Sequence, residues 1–215
     1  MRWTGEAAGL AVLAATCGCI ATGQYKFLVP SAPGAIQEID YNDYHVVTVF
    51  RSPDTVRLQP VNGSELHVRA CNREEVVGIT VGPFLPVIPW PPSVVHAFTV
   101  EPHPPLVVVV AIGMSSLTFD LSQVAVITPE DQRITAAAFG TTDHAACVRV
   151  PETPLPAEPL RISGPTMVEL RFDMPAIPST LSLEIGGMDC GAGRVDVPTI
   201  ELRHGHEWIL YPFNS

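Results

Sequence analysis

Residues Val56–Val68, VRLQPVNGSELHV, decide the fold class. Val56 and Leu58 alternate with Arg57 and Gln59; beyond Asn62-Gly63, Leu66 and Val68 alternate with His67 and Arg69. Side chains along a strand point to opposite faces in turn, so each arm carries one apolar and one polar face. Asn-Gly accepts the positive φ angles that a tight turn between twisted strands requires. The stretch reads as a half-exposed β-hairpin. A lone hairpin is barely stable in water, so further strands must cover its apolar face.

Such strands are found on both sides. His45–Phe50 precedes the hairpin arms Val56–Pro60 and Glu65–Ala70, and Glu75–Val81 and Val94–Val100 follow. Leu106–Ile112 (LVVVVAI) lacks polar alternation and reads as a central strand covered on both faces. Even extended to Met114, this run is far below the ~20 residues that span a bilayer. Leu117–Leu121, Val124–Thr128, Arg133–Phe139, Cys147–Val150, Met167–Phe172, Leu181–Ile185, Thr199–Arg203 and Glu207–Tyr211 complete the set. These segments are short, rich in β-branched residues and bounded by turn formers, a pattern of all-β proteins. One helix competes, Pro129–Phe139 capped by Thr128, but Ile134 and Thr135 continue a strand pattern and favour a turn at Pro129–Gln132.

The 22 prolines cluster at Pro83–Pro92, Pro102–Pro105 and Pro151–Pro159. Proline cannot donate to a sheet ladder, so these clusters mark edges, crossovers or linkers. The expected architecture is a β-sandwich of short antiparallel strands with Pro-rich crossovers, forming a single domain over residues 24–215. A subdomain boundary near 151–160 is the alternative, although the remaining ~55 residues are marginal for independent stability.

The chain has 215 residues, 47% of them hydrophobic and 16% charged, which excludes disorder as the main state. A net charge of −10 is a poor match to polyphosphate, so no nucleic-acid partner is expected. No phosphate loop, dinucleotide fingerprint or Cys-x-x-Cys pair occurs after residue 23, and no cofactor is expected.

Residues 1–23, MRWTGEAAGLAVLAATCGCIATG, have the order of an export signal: Arg2, an apolar run from about Gly9 to Ala15, then small residues. Cys17 and Cys19 at the end of that run resemble the lipobox of bacterial lipoproteins, with Thr16 and Leu13 departing from its usual pattern. The resemblance implies acylation at Cys17 or Cys19 and a membrane partner reached through the lipid. No aspartate follows either cysteine, which by the same resemblance implies the outer membrane of a Gram-negative cell. Ordinary cleavage after Ala21-Thr22-Gly23, giving a periplasmic protein, is the competing reading, and an uncleaved apolar N-terminus is the third.

Several groups are candidates for chemistry. Phe84 and Trp90 in GPFLPVIPWPP (82–92) offer an apolar contact for an envelope protein partner, against a structural role as a crossover. His204 and His206 share a strand face, as two metal ligands would, but a site needs further ligands and the other histidines are not spaced to supply them. Ser115-Ser116 after Gly113-Met114 form half of a nucleophile elbow, with Leu117 where the closing glycine belongs. The acidic pairs Glu74-Glu75 and Glu130-Asp131 point to opposite faces on a strand, and Asp40–Tyr44 (DYNDY) reads as a polar loop. Cys71, Cys147 and Cys190 are the disulfide candidates of an exported chain, with the pairing open.

Ile185–Phe213 reads as a terminal hairpin with a glycine-rich turn (GGMDCGAG), and resembles the ends of uncharacterised bacterial surface lipoproteins. The functional expectation is an exported envelope protein, non-catalytic in the sense that no catalytic set assembles, serving as a binding or structural module. The alternative is an exported metal-dependent or hydrolytic enzyme using His204 and His206.

Overall fold

The computed structural model describes residues 20–38, 47–51, 53–60, 64–71, 74–78, 105–114, 116–142, 150–191 and 193–212. These residues form seventeen strands and one 3-10 turn. The first six strands are β1 (Ile20–Ser31), β2 (Ile36–Glu38), β3 (Val47–Arg51), β4 (Thr55–Leu58), β5 (Leu66–Ala70) and β6 (Glu74–Gly78). Then come β7 (Leu106–Ile112), β8 (Leu117–Phe119), β9 (Val124–Ile127), β10 (Arg133–Thr135), β11 (Ala138–Thr142) and β12 (Thr153–Pro154). The last are β13 (Leu160–Ile162), β14 (Thr166–Phe172), β15 (Thr180–Ile185), β16 (Met188–Asp189) and β17 (Ile200–Pro212). No α-helix occurs among the described residues.

All pairings are antiparallel and fall into three sheets. One runs β10-β9-β15-β17-β1-β6, with β3 also on β17. The second runs β12-β11-β14-β7-β5-β4-β2, and a small third sheet runs β13-β8-β16. They pack as an open sandwich, not a closed barrel. The core lies between the sheets: Leu106, Val108, Val110 and Ile112 of β7 and Val168, Leu170 and Phe172 of β14 meet Val124, Val126, Leu181, Leu183, Ile200 and Leu202 of the first sheet. Phe119 of β8 closes one side and is fully buried.

The hairpin pairs as its alternation requires, with Val56 opposite Val68 and Leu58 opposite Leu66. All four are buried, while Arg57 and His67 lie on the other face. Its Asn62-Gly63 turn lies outside the described residues. Strand β7 has the expected bounds and sits between β5 and β14, so both of its edges are paired. Residues Thr128–Gln132 form the expected turn: Thr128 N–H donates to Gln132 O at 3.0 Å, and Asp131 takes φ 60°.

Two expectations need correction. Arg133–Phe139 is not one strand: it breaks at Ala136-Ala137 into β10 and β11, which belong to different sheets. Ala137 N–H leaves the first sheet and donates to Arg171 O of β14 at 2.7 Å. Thr199–Arg203 and Glu207–Tyr211 are instead one strand, β17, continuous through Gly205. It is held along one edge by β1 from Glu201 to Pro212 and along the other by β15 and then β3. Within the Pro151–Pro159 cluster, Thr153-Pro154 forms an edge strand on β11, where a missing N–H is tolerated. Val94–Val100 and most of Cys147–Val150 lie outside the described residues.

A candidate ionic site on the outer face of the second sheet

Outward side chains of β2, β4 and β5, with Glu65 just before β5, converge on a cluster of charged groups. Arg57 Nε lies 3.1 Å from Glu38 Oε1, and Arg57 Nη1 lies 3.6 Å from Glu65 Oε1. His67, opposite Arg57 in the hairpin, sets Nδ1 3.5 Å from Glu38 Oε2 and Nε2 3.6 Å from Glu65 Oε2. Two carboxylates are thus shared between one guanidinium and one imidazole. Beside them Arg69 Nη2 is 4.0 Å from the buried Asp54. Arg57 Nε is itself shielded from solvent and its N–H does not aim at the Glu38 oxygen. The contact is therefore an ion pair, not a directed hydrogen bond.

The arrangement follows from the hairpin. Its period of two sends Arg57, His67 and Arg69 to one face, and β2 then lays Glu38 alongside Thr55 at the sheet edge. Glu65 arrives through a local contact, since its carbonyl accepts from Gly113 N–H at 2.9 Å. The chemical capacity of the cluster is charge neutralisation and edge fastening. The two ring nitrogens of His67 face different carboxylates, so one cation cannot use His67 and both glutamates in this arrangement. Among the described residues no group of three or more His, Cys, Asp or Glu is placed to hold a metal ion.

The sequence candidates lie elsewhere. Cys17, Cys19, Phe84, Trp90, Cys147, Ser115 and Asp40–Tyr44 fall outside the described residues. His204 is exposed on β17, opposite Leu28, and its N–H donates to Ser179 O at 3.0 Å. His206 follows two residues along the same strand, opposite Lys26. Ser116 is exposed just before β8. Cys71 is disulfide-bonded, whereas Cys190 is a free, half-buried thiol whose Sγ lies 3.6 Å from Gly193 O.

A second polar device closes the sandwich near β8. Asp120 caps the 3-10 turn Leu121–Gln123, accepting from Ser122 N–H at 3.1 Å, Ser122 Oγ–H at 2.6 Å and Gln123 Nε2–H at 2.8 Å. The Ser122 hydroxyl first, then the Gln123 amide, hold its carboxyl below the ordinary value, against a smaller opposing effect of burial. Asp120 N–H also donates to Gly187 O at 2.8 Å. Gly187 takes φ 74°, and a Cβ there would come within 2.6 Å of Asp120 O, so both backbone angle and space require glycine.

No protein-family model, curated protein or solved structure matches the chain.

Proposed function

We propose that the protein is an exported component of a bacterial cell envelope, anchored by a lipid on Cys19 or Cys17, whose all-β domain is a non-catalytic binding or structural module. The leader supplies the first part of this reading and the fold the second. One observation favours acylation over cleavage after Gly23. Strand β1 begins at Ile20, and Ile20, Ala21, Thr22 and Gly23 pair with Pro212, Tyr211, Leu210 and Ile209 of β17. Thr22 and Gly23 also pair with Gly78 and Val77 of β6. Cleavage after Gly23 would remove this third of β1 and leave the end of β17 without its partner on that edge. Processing at Cys19 or Cys17 leaves the strand whole.

An acylated Cys19 would be followed at once by Ile20, so the domain would stand at the lipid surface without a linker. Each buried methylene contributes about 0.8 kcal/mol to anchoring, and a diacylated residue holds far more strongly than a single short chain. Labelled fatty-acid incorporation tests the reading. Wild-type protein should take up label, and one of Cys19→Ser and Cys17→Ser should abolish it while the other does not. Label in neither wild type nor variants, with the protein released in soluble form, overturns the anchor.

A further inference from the structure

We propose that the end of the first sheet where β1 begins is a lipid-contact surface, seated at the headgroup level of the membrane that holds the chain. Four strands finish within two residues of one another there. Ile20 of β1 is level with Pro212 of β17, and Thr22 is in line with Leu210 of β17, Gly78 of β6 and Val47 of β3. The order across this end is β6-β1-β17-β3, so three strand spacings of about 4.8 Å give a footprint about 14 Å wide.

Residue type sets this end apart, row by row. Ala21 is in line with Tyr211, Gly23 with Ile209, Val77 and Thr48, and Gln24 with Trp208, Val76 and Phe50. None of these residues is charged, nor is Val49, which falls at the register shift between Thr48 and Phe50. The next rows reverse this: Tyr25 is in line with Glu207, Glu75 and Arg51, and Lys26 with His206 and Glu74. Further along, Glu201, Arg203, Glu184 and Arg133 keep charge on the sheet. Successive residues of a strand take opposite faces, so the rows from Ile20 to Gln24 leave this end without charge on either face. An uncharged band bordered by charged rows is what a membrane contact requires.

Lipid is the occupant to which the chain itself points. The residues preceding Ile20 carry the apolar run Gly9–Ala15 with Cys17 and Cys19, and they join the domain at this end. The contact rests on the envelope reading for that attachment, and adds that the folded domain touches the membrane itself. Trp208 and Tyr211 are of the residue types that favour the headgroup level. The five steps from Ile20 to Tyr25 cover about 17 Å, whereas an interfacial element sinks about 5–10 Å. The charged row of Tyr25 therefore stays in water. Deeper burial is excluded, because β6 and β3 lie at the edges of this sheet among the described residues, and their outer N–H and C=O groups need water or headgroups. The opposite end stands clear of the membrane. Ser31 is in line with Glu201, Ser182, Ile127 and Arg133, and the exposed Thr135 lies two rows beyond, about 43 Å from Ile20.

The test replaces all three tryptophans (Trp3→Phe, Trp90→Phe, Trp208→Phe) and adds Tyr211→Trp, Pro212→Trp or Thr135→Trp, one per protein. Each protein is purified from membranes, checked by urea unfolding against the wild type, and reconstituted into phosphatidylcholine vesicles with plain or brominated acyl chains. Bromine quenches tryptophan emission on contact. Tyr211→Trp and Pro212→Trp should lose most of their emission in the brominated vesicles, and Thr135→Trp should lose none. Whichever of the first two keeps the fold decides the matter: undiminished emission means that the band faces protein, and overturns the proposal. Intact mass scores the anchor separately. Acylated, vesicle-bound protein without quenching refutes the contact alone, quenching in protein without an acyl group refutes the anchor alone, and the absence of both refutes both.

Discussion

Replacing Gly187 with alanine should be among the most costly surface substitutions in this domain, and Gly34 supplies the control. Both glycines adopt nearly the same left-handed backbone, φ 74° and 72°. That conformation costs an alanine about 1–2 kcal/mol, partly offset by about 0.4–1 kcal/mol because alanine has less freedom to lose on folding. At Gly34 nothing lies within 4 Å of where the added methyl would stand, so the net cost is about 1 kcal/mol. At Gly187 the methyl would stand 2.6 Å from Asp120 O and 2.8 Å from Asp120 Cβ, so the turn must move. That movement strains the Asp120 N–H to Gly187 O bond, worth about 1 kcal/mol net, and the methyl also crowds Gln123 Cβ at 3.2 Å. The total is about 3 kcal/mol. Over a domain of this size the difference between variants corresponds to a Tm gap of about 4–8 °C. Urea unfolding of Gly187→Ala and Gly34→Ala under identical conditions measures it. Agreement between the two within about 0.5 kcal/mol, the usual additivity error, would refute the close approach.

Three further outcomes follow from the same physical reasoning. Asp120 has a folded pKa below its ordinary value of 3.8, so its stabilisation is complete above that value and drains as pH falls through the lower folded value. Acid titration of unfolding should therefore show the advantage of wild type over Asp120→Asn vanishing at the acid end; a gap that persists below it contradicts the capping role. Arg57→Ala should cost no more than about 1 kcal/mol, because the cluster is partly solvated, and the loss should shrink in about 1 M salt. Its main readout is faster amide exchange in β2, and unchanged exchange there rejects edge fastening. Phe172→Ala, at a fully buried site, should cost about 3–5 kcal/mol in the same unfolding assay, and a loss under about 1 kcal/mol would place Phe172 outside the core.

The elements with a clean period were legible in the sequence. Val56–Val68 showed its register, and the unbroken apolar run Leu106–Ile112 showed its central place. β1 was harder, since GQYKFLVP carries no alternation and its first residues also suit a signal-peptide end. Gly205 looked like a break but is simply a member of a long ladder held by β1, and Ala136-Ala137 carries no turn residue although the chain changes sheets there. The ionic cluster was half visible: Arg57 opposite His67 follows from the hairpin register alone. Glu38 was not, because β2 is three residues long and its neighbour on the sheet is decided by packing.

The most direct test of the envelope reading is the intact mass of the protein purified from membranes. The expected species begins at Cys19 or Cys17 and carries acyl groups, with β1 complete from Ile20. A single unmodified species beginning at Gln24 would contradict it.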